Sequence, residues 1–133
     1  MATQFSTRVR NAALNAIETT IGAAPTLELR TGAPPASAAA TDTGTLLASM
    51  TLPSDWMADA AAGAKTILGT WQDSAADAAG TVGHYRIKAA GACDIQGTVT
   101  ITGGGGDMTL DNPVLAVGQQ VTITAFTLTA GGA

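Results

Sequence analysis

The stretch TVGHYRIKAAGACDIQGTVTI, residues 81–101, decides the fold. Its first nine residues alternate: Gly83, Tyr85 and Ile87 point one way, and Val82, His84, Arg86 and Lys88 the other. A period of two marks a β-strand whose faces differ in environment. AGAC turns the chain, and IQGTVTI resumes the alternation with Val99 and Ile101 inward and Thr98, Thr100 and Thr102 outward. Two alternating runs around a glycine-containing turn predict an antiparallel hairpin centred near Ala90–Gly91. That register sets Cys93 opposite Lys88 and His84 opposite Gly97.

Downstream of this hairpin lies a run of four glycines, Gly103 to Gly106. It fails as a phosphate loop, because no Lys follows it and DMTLDN is strand-like rather than helical. It reads as a hairpin tip, with Gly104 and Gly105 free to lie flat against a neighbouring subunit. MTL and VLAV follow as short strands. In QVTITAFTLTA (120–130), Val121, Ile123 and Ala125 share one face, while Phe126 and Leu128 fall in the opposite phase. A β-bulge near Ala125 restores the phase; the alternative is a strand buried on both faces.

Upstream, TLELR and TLLASMTLP also alternate, and KTILGTW is a short strand. SDWMADAAAGAK (54–65) fits a short helix or a loop. QDSAADAAG (72–80) is a polar loop, and GAPPASAAATDTG (32–44), with Pro34 and Pro35, has no periodicity and reads as a long surface loop or an extended arm that would reach a neighbour. At the N-terminus, Phe5, Val9, Ala13, Ala16, Ile17 and Ile21 recur at spacings of three and four. They predict an amphipathic helix over 6–21, capped by Ser6 or Thr7 and stopped by Gly22. Its apolar stripe is expected to pack on the body or on another subunit, with Arg8, Arg10, Asn11, Asn15 and Glu18 on the other faces. The whole predicts one mainly β domain over 1–133: a jelly-roll-like antiparallel β-sandwich or barrel of roughly eight short strands with one N-terminal α-helix.

Composition bounds the function. Of 133 residues only 4% are aromatic and 12% charged, and much of the 46% hydrophobic content is alanine. Such a core is thin, and oligomerisation or a larger partner surface offsets the deficit. A net charge of −4 and a pI near 4.5 give no basic footprint for nucleic acid. No apolar run is long enough to span a membrane, and the helix lacks the Lys/Arg-rich face of a membrane-surface helix. Asn15 and Glu18 interrupt any signal-peptide core, so synthesis and assembly in a cytoplasm are expected.

Catalytic patterns are missing. There is no G-x-S-x-G elbow, and in the expected register Cys93 and His84 lie several residues apart along the sheet. One Cys and one His cannot make a structural zinc site, and the Asp73/Asp77 and Asp107/Asp111 pairs lack EF-hand spacing. The expectation is no enzyme, no cofactor and no metal. Trp56 and Trp71 are the largest apolar side chains and are expected in the core or at a subunit interface. Exposed, they would be stacking platforms for sugar rings.

Three segments together, TLPSDWM (51–57), GTWQDSAADAAGTVGHYRI (69–87) and GDMTLDNPVLAVGQQVTITAFTLTAGGA (106–133), carry a family resemblance. The chain resembles small virion proteins encoded among the head and tail genes of tailed bacteriophages, and is similar to capsid decoration (cement) proteins. The resemblance implies a non-enzymatic homo-oligomer, dimer or trimer, assembled in the host cytoplasm onto the virion. Its partner would be the major capsid protein or another virion protein. Tail or head–tail joining proteins, and receptor- or carbohydrate-binding modules of a tail appendage, are the alternatives. The shared positions are turns, core and strands, so no catalytic residue carries over. The residues expected to touch other subunits are Phe5, Val9, Pro34, Pro35, Trp56, Trp71, Gly104 and Gly105.

Overall fold

A computed structural model describes residues 3–133. Helix α1 (Thr7–Ile21) leads into ten strands: β1 (Thr26–Thr31), β2 (Leu46–Thr51), β3 (Ala64–Thr66), β4 (Trp71–Asp73), β5 (Gly80–Ala89), β6 (Ala92–Ile101), β7 (Met108–Leu110), β8 (Val114–Leu115), β9 (Val121–Ile123) and β10 (Thr127–Thr129). The fold is mainly β with one N-terminal helix. Its main sheet runs β2-β1-β5-β6-β7, with β8 on the first residues of β5. Two small ladders, β10-β3 and β4-β9, complete it. The main sheet curls into an open half-barrel.

β5 and β6 form the predicted hairpin, and Lys88 faces Cys93. His84, however, faces Thr98 instead of Gly97, because Ile87 pairs with Ile95 and Asp94 is left over as a one-residue bulge. A similar bulge in β2 turns both Leu47 and Ala48 inward. Segment 54–63 is irregular and contains no helix.

The phase slip in 120–130 is also a register change. β10 pairs with β3 so that Thr127 faces Thr66, while β9 pairs with β4 so that Ile123 faces Trp71. Between these pairs, residues 67–70 stand opposite 124–126, four against three. The extra residue lies on the partner segment, where Gly69 has φ 74°, and not at Ala125. Thr124 and Ala125 are exposed, and Phe126 returns to the core and bridges to Met108.

The core holds Leu27, Leu29, Tyr85 and Ile87 from the central strands and a chain of aromatics. Ring centroids are 6.0 Å apart for Trp56–Trp71, 5.9 Å for Trp71–Phe126 and 5.3 Å for Tyr85–Phe126. In a chain so rich in alanine, these rings supply much of the buried area.

The glycine run is not a hairpin tip. β6 and β7 are parallel, Val99 facing Met108 and Ile101 facing Leu110, so 102–107 must double back along the end of β6. Gly103 and Gly105 take φ values of 87° and 83°, in the left-handed region. A Cβ on Gly104 or Gly106 would come within 2.7 Å and 2.9 Å of Thr100. Two glycines therefore supply turn geometry and two supply clearance, and the Gly106 N–H donates to Thr100 Oγ1 at 3.0 Å.

Candidate functional site

The helix docks chiefly through its polar stripe and Leu14, with Ile21 of the apolar stripe also against the core. Segment 57–63 lacks a full ladder, so its backbone N–H groups need partners. Asn11, Asn15 and Glu18, spaced four and three apart, supply them. Asn11 Oδ1 accepts from Gly63 N at 2.8 Å, Asn15 Oδ1 from Ala60 N at 2.9 Å, and Glu18 Oε2 from Met57 N at 3.1 Å. Lys65 rises from β3 into this stripe and is 1% exposed. Its ammonium donates to Asn15 Oδ1 at 2.8 Å and Ala58 O at 2.9 Å, and pairs with Glu18 Oε1 at 2.9 Å. All three donors are satisfied, which is what burial of a Lys requires. Burial works against the Glu18 charge, but the Lys65 contact and the Met57 N–H outweigh it and hold its carboxyl below the ordinary range. Trp56 Nε1 extends the dock by donating to Gly22 O at 3.0 Å.

Docking by the polar stripe leaves the N-terminal part of the apolar stripe outside, while Ile21 packs against the core. Leu14 is the buried residue of α1, while Phe5 is 50% and Val9 41% exposed. Ala13 and Ala16 are also exposed. An open groove of about 420 Å³ runs between Ala13, Ala16, Ile17 and Ile21 of α1 and Ile95 and Leu128, with Asp94 at that end. A second hollow of about 240 Å³ continues it past Ala13 to Phe5, Val9 and Arg10, over Ala130 and Gly131. Arg10 donates to Ala130 O at 3.1 and 3.2 Å. Phe5 N donates to Gly132 O at 2.6 Å, which fixes the ring beside the C-terminal tail.

The 32–44 segment is a surface loop, the first of the two expected forms, strapped on the polar face of β5 and β6 rather than extended away from the body. His84 Nδ1 meets Gly32 O at 2.9 Å, and Gln96 Nε2 donates to Pro35 O at 2.7 Å. Arg86, 1% exposed, donates to Ala38 O at 2.6 Å and Ala40 O at 3.0 Å, and pairs with Asp42. Asp42 also receives Lys88 at 2.6 Å and Arg30 at 3.3 Å. The Lys88 hydrogen bond above all, with Arg86 and Arg30, holds the Asp42 carboxyl below the ordinary range. Pro34 and Pro35 are half-buried in this strap.

Trp56 and Trp71 are fully buried, so neither offers a face to a sugar or a subunit. Gly104 and Gly105 are exposed; Thr100 crowds Gly104, whereas Gly105 is set by its positive φ. The eight expected contact residues thus separate: Phe5 and Val9 share one open hollow, Gly104 and Gly105 an exposed turn, and the others are buried or half-buried. Sequence reading missed Asn11, Asn15, Glu18 and Lys65, although the 11, 15, 18 spacing is itself a helical stripe.

Among the described residues His84 and Cys93 are not brought together. His84 pairs across the ladder with Thr98, and Cys93 with Lys88, at separate positions on the strands; Cys93 Sγ donates to Ile95 O at 3.2 Å. Burial, with the Asp107 charge second, pushes the Tyr85 hydroxyl well above its usual value. Among the described residues no three His, Cys, Asp or Glu side chains cluster to hold a metal, and no helix is long and apolar enough to cross a membrane. Compared with family models, with characterised proteins and with solved structures, the chain matches none.

Proposed function

We propose that the chain is a non-enzymatic structural protein of a tailed-phage virion, a capsid decoration protein that stabilises the head through repeated contacts with the major capsid protein. One observation carries this reading: α1 is fastened chiefly by its polar stripe, and the N-terminal part of its apolar stripe is presented outward over a groove. Burying hydrogen-bonding side chains to leave Phe5 and Val9 in water lowers the stability of an isolated chain and favours one that meets another protein surface. The resemblance of 51–57, 69–87 and 106–133 to phage virion proteins supplies the setting. The mechanism is multivalency: on a repeating lattice each modest contact raises the effective concentration for the next.

Burial of Trp56 and Trp71 removes the stacking platforms on which a carbohydrate-binding module would rely. Cryo-EM of purified virions, with mass spectrometry of the particle proteins, tests the proposal. Density for the chain on the head lattice is the expected result. Density confined to the tail or the head–tail joint assigns it to those structures instead. Absence from the particle overturns the virion reading.

A further inference from the structure

We infer that the groove beside α1 is the seat of a second copy of this chain, whose own α1 lies antiparallel in it across a twofold axis near Ala13. The surface is self-complementary about that residue. Val9 stands four residues before Ala13 and Ile17 four after, about 6 Å each way at 1.5 Å per residue, with Phe5 just before the extended N-cap Ser6 beyond one and Ile21 beyond the other. A twofold at Ala13 therefore brings the Phe5 of each copy to the Ile17–Ile21 end of the other copy's groove. Val9 of each copy comes level with Ile17 of the other. The exposed ring of Phe5 is the protruding part, and the hollow floored by Ile95 and Leu128 is the receiving part. Ala13 and Ala16 at the crossing are small enough for helix axes about 8–10 Å apart.

Charge points to the same occupant. Arg10 lines the hollow shared with Phe5 and Val9, and Asp94 lines the adjoining groove shared with Ile17 and Ile21. Neither belongs to an ion pair among the described residues. Twofold antiparallel packing sets Arg10 of each copy against Asp94 of the other, so both ends of the interface gain opposite charges together. A parallel arrangement would put like charges together. The shape is prepared before association, since Phe5 is held by Gly132 and α1 by Asn11, Asn15 and Glu18. Little ordering is then lost on binding. An isologous pairing of this kind closes on itself and needs no lattice, so the inference does not rest on the virion reading.

Sedimentation velocity of the purified chain over a concentration series tests it. A dimer with Kd on the order of 10 μM or tighter is expected. Ala13→Glu, at an exposed helical position, should leave the circular dichroism spectrum unchanged and weaken dimerisation by about tenfold or more. Asp94→Lys, which sets a Lys against Arg10, should also weaken it, and raised salt should reduce the effect of that substitution. A chain that stays monomeric, forms a trimer, or dimerises equally well with Ala13→Glu overturns the inference. A dimer that is absent from virions leaves this inference standing and removes the decoration reading alone.

Discussion

A Cβ on Gly104 would lie 2.7 Å from the Thr100 hydroxyl, and one on Gly106 2.9 Å from the Thr100 backbone nitrogen. Side-chain and backbone positions in a strand cannot yield that distance without moving, so Gly104→Ala and Gly106→Ala should each destabilise by about 1–3 kcal/mol. Urea unfolding measures the loss. In a Thr100→Gly background, which removes both the hydroxyl at 2.7 Å and the Cβ at 2.8 Å, the Gly104→Ala cost should shrink; an unchanged cost would contradict the contact. Lys65 offers a second check. Lys65→Met leaves Glu18 without its cation, and breaking a buried pair costs about 3–5 kcal/mol. Glu18 keeps the Met57 N–H and is 17% exposed, so about 2–3 kcal/mol is expected. Adding Glu18→Gln should recover part of it. None of these contacts was visible in composition or spacing. The glycines announced a turn, but the parallel return past Thr100 depends on where β7 pairs.

At the scale of elements, local pattern and partner choice separate. The alternation in 81–101 predicted both strands and the Lys88–Cys93 pairing, because period two is a property of the strand itself. It could not predict the Asp94 bulge, which shifts His84 to Thr98. The mismatch at 120–130 likewise signalled a one-residue irregularity, but its location on residues 67–70 belongs to the partner segment. For α1, the apolar stripe was the obvious face, yet of it only Ile21 packs against the core, and the polar stripe makes most of the dock. Hydrophobic periodicity ranks faces by transfer energy and takes no account of backbone N–H groups left over in 57–63. The 32–44 strap is similar: Pro and Ala gave no period, while the polar side chains that hold it sit on other strands. Its dependence on Asp42 has a testable sign. Asp42 and Glu18 titrate lower in the folded chain than unfolded, so each contributes stability above its unfolded value and loses it as pH falls through its folded one. Tm should therefore drop as pH goes below about 4. Asp42→Asn should lower Tm at neutral pH, and its difference from the wild type should narrow by pH 3, about one unit below the unfolded Asp value. A difference that persists undiminished in acid would mean that the strap is not held by this carboxylate's charge.

Across the whole molecule, the core is one connected cluster with few large members, and Trp71 is central to it. It touches Trp56 on one side and Phe126 on the other, and Phe126 reaches Tyr85. Its Nε1 donates to Trp56 O at 3.1 Å and Leu68 O at 3.3 Å, which ties the irregular segment to β4. Removing a buried Trp side chain costs about 3–5 kcal/mol through lost burial and the cavity left behind. Domains of this size have about 5–15 kcal/mol in all, and an alanine-rich core belongs at the lower end. Trp71→Ala should therefore leave much of the chain unfolded at 37 °C, seen as loss of near-ultraviolet dichroism. Trp71→Phe keeps a ring against Phe126 but gives up the indole hydrogen bonds and part of the volume. About 1–3 kcal/mol is its expected cost, with the fold retained. Fluorescence separates this account from one in which the tryptophans face a ligand or a subunit. Both indoles are inaccessible in the single chain, so native emission should be blue-shifted and acrylamide quenching weak even at dilutions where the chain is monomeric. Urea should then raise quenching in one transition coincident with the loss of dichroism. Strong quenching of the folded monomer would place at least one indole outside the core and return carbohydrate or subunit contact to that residue.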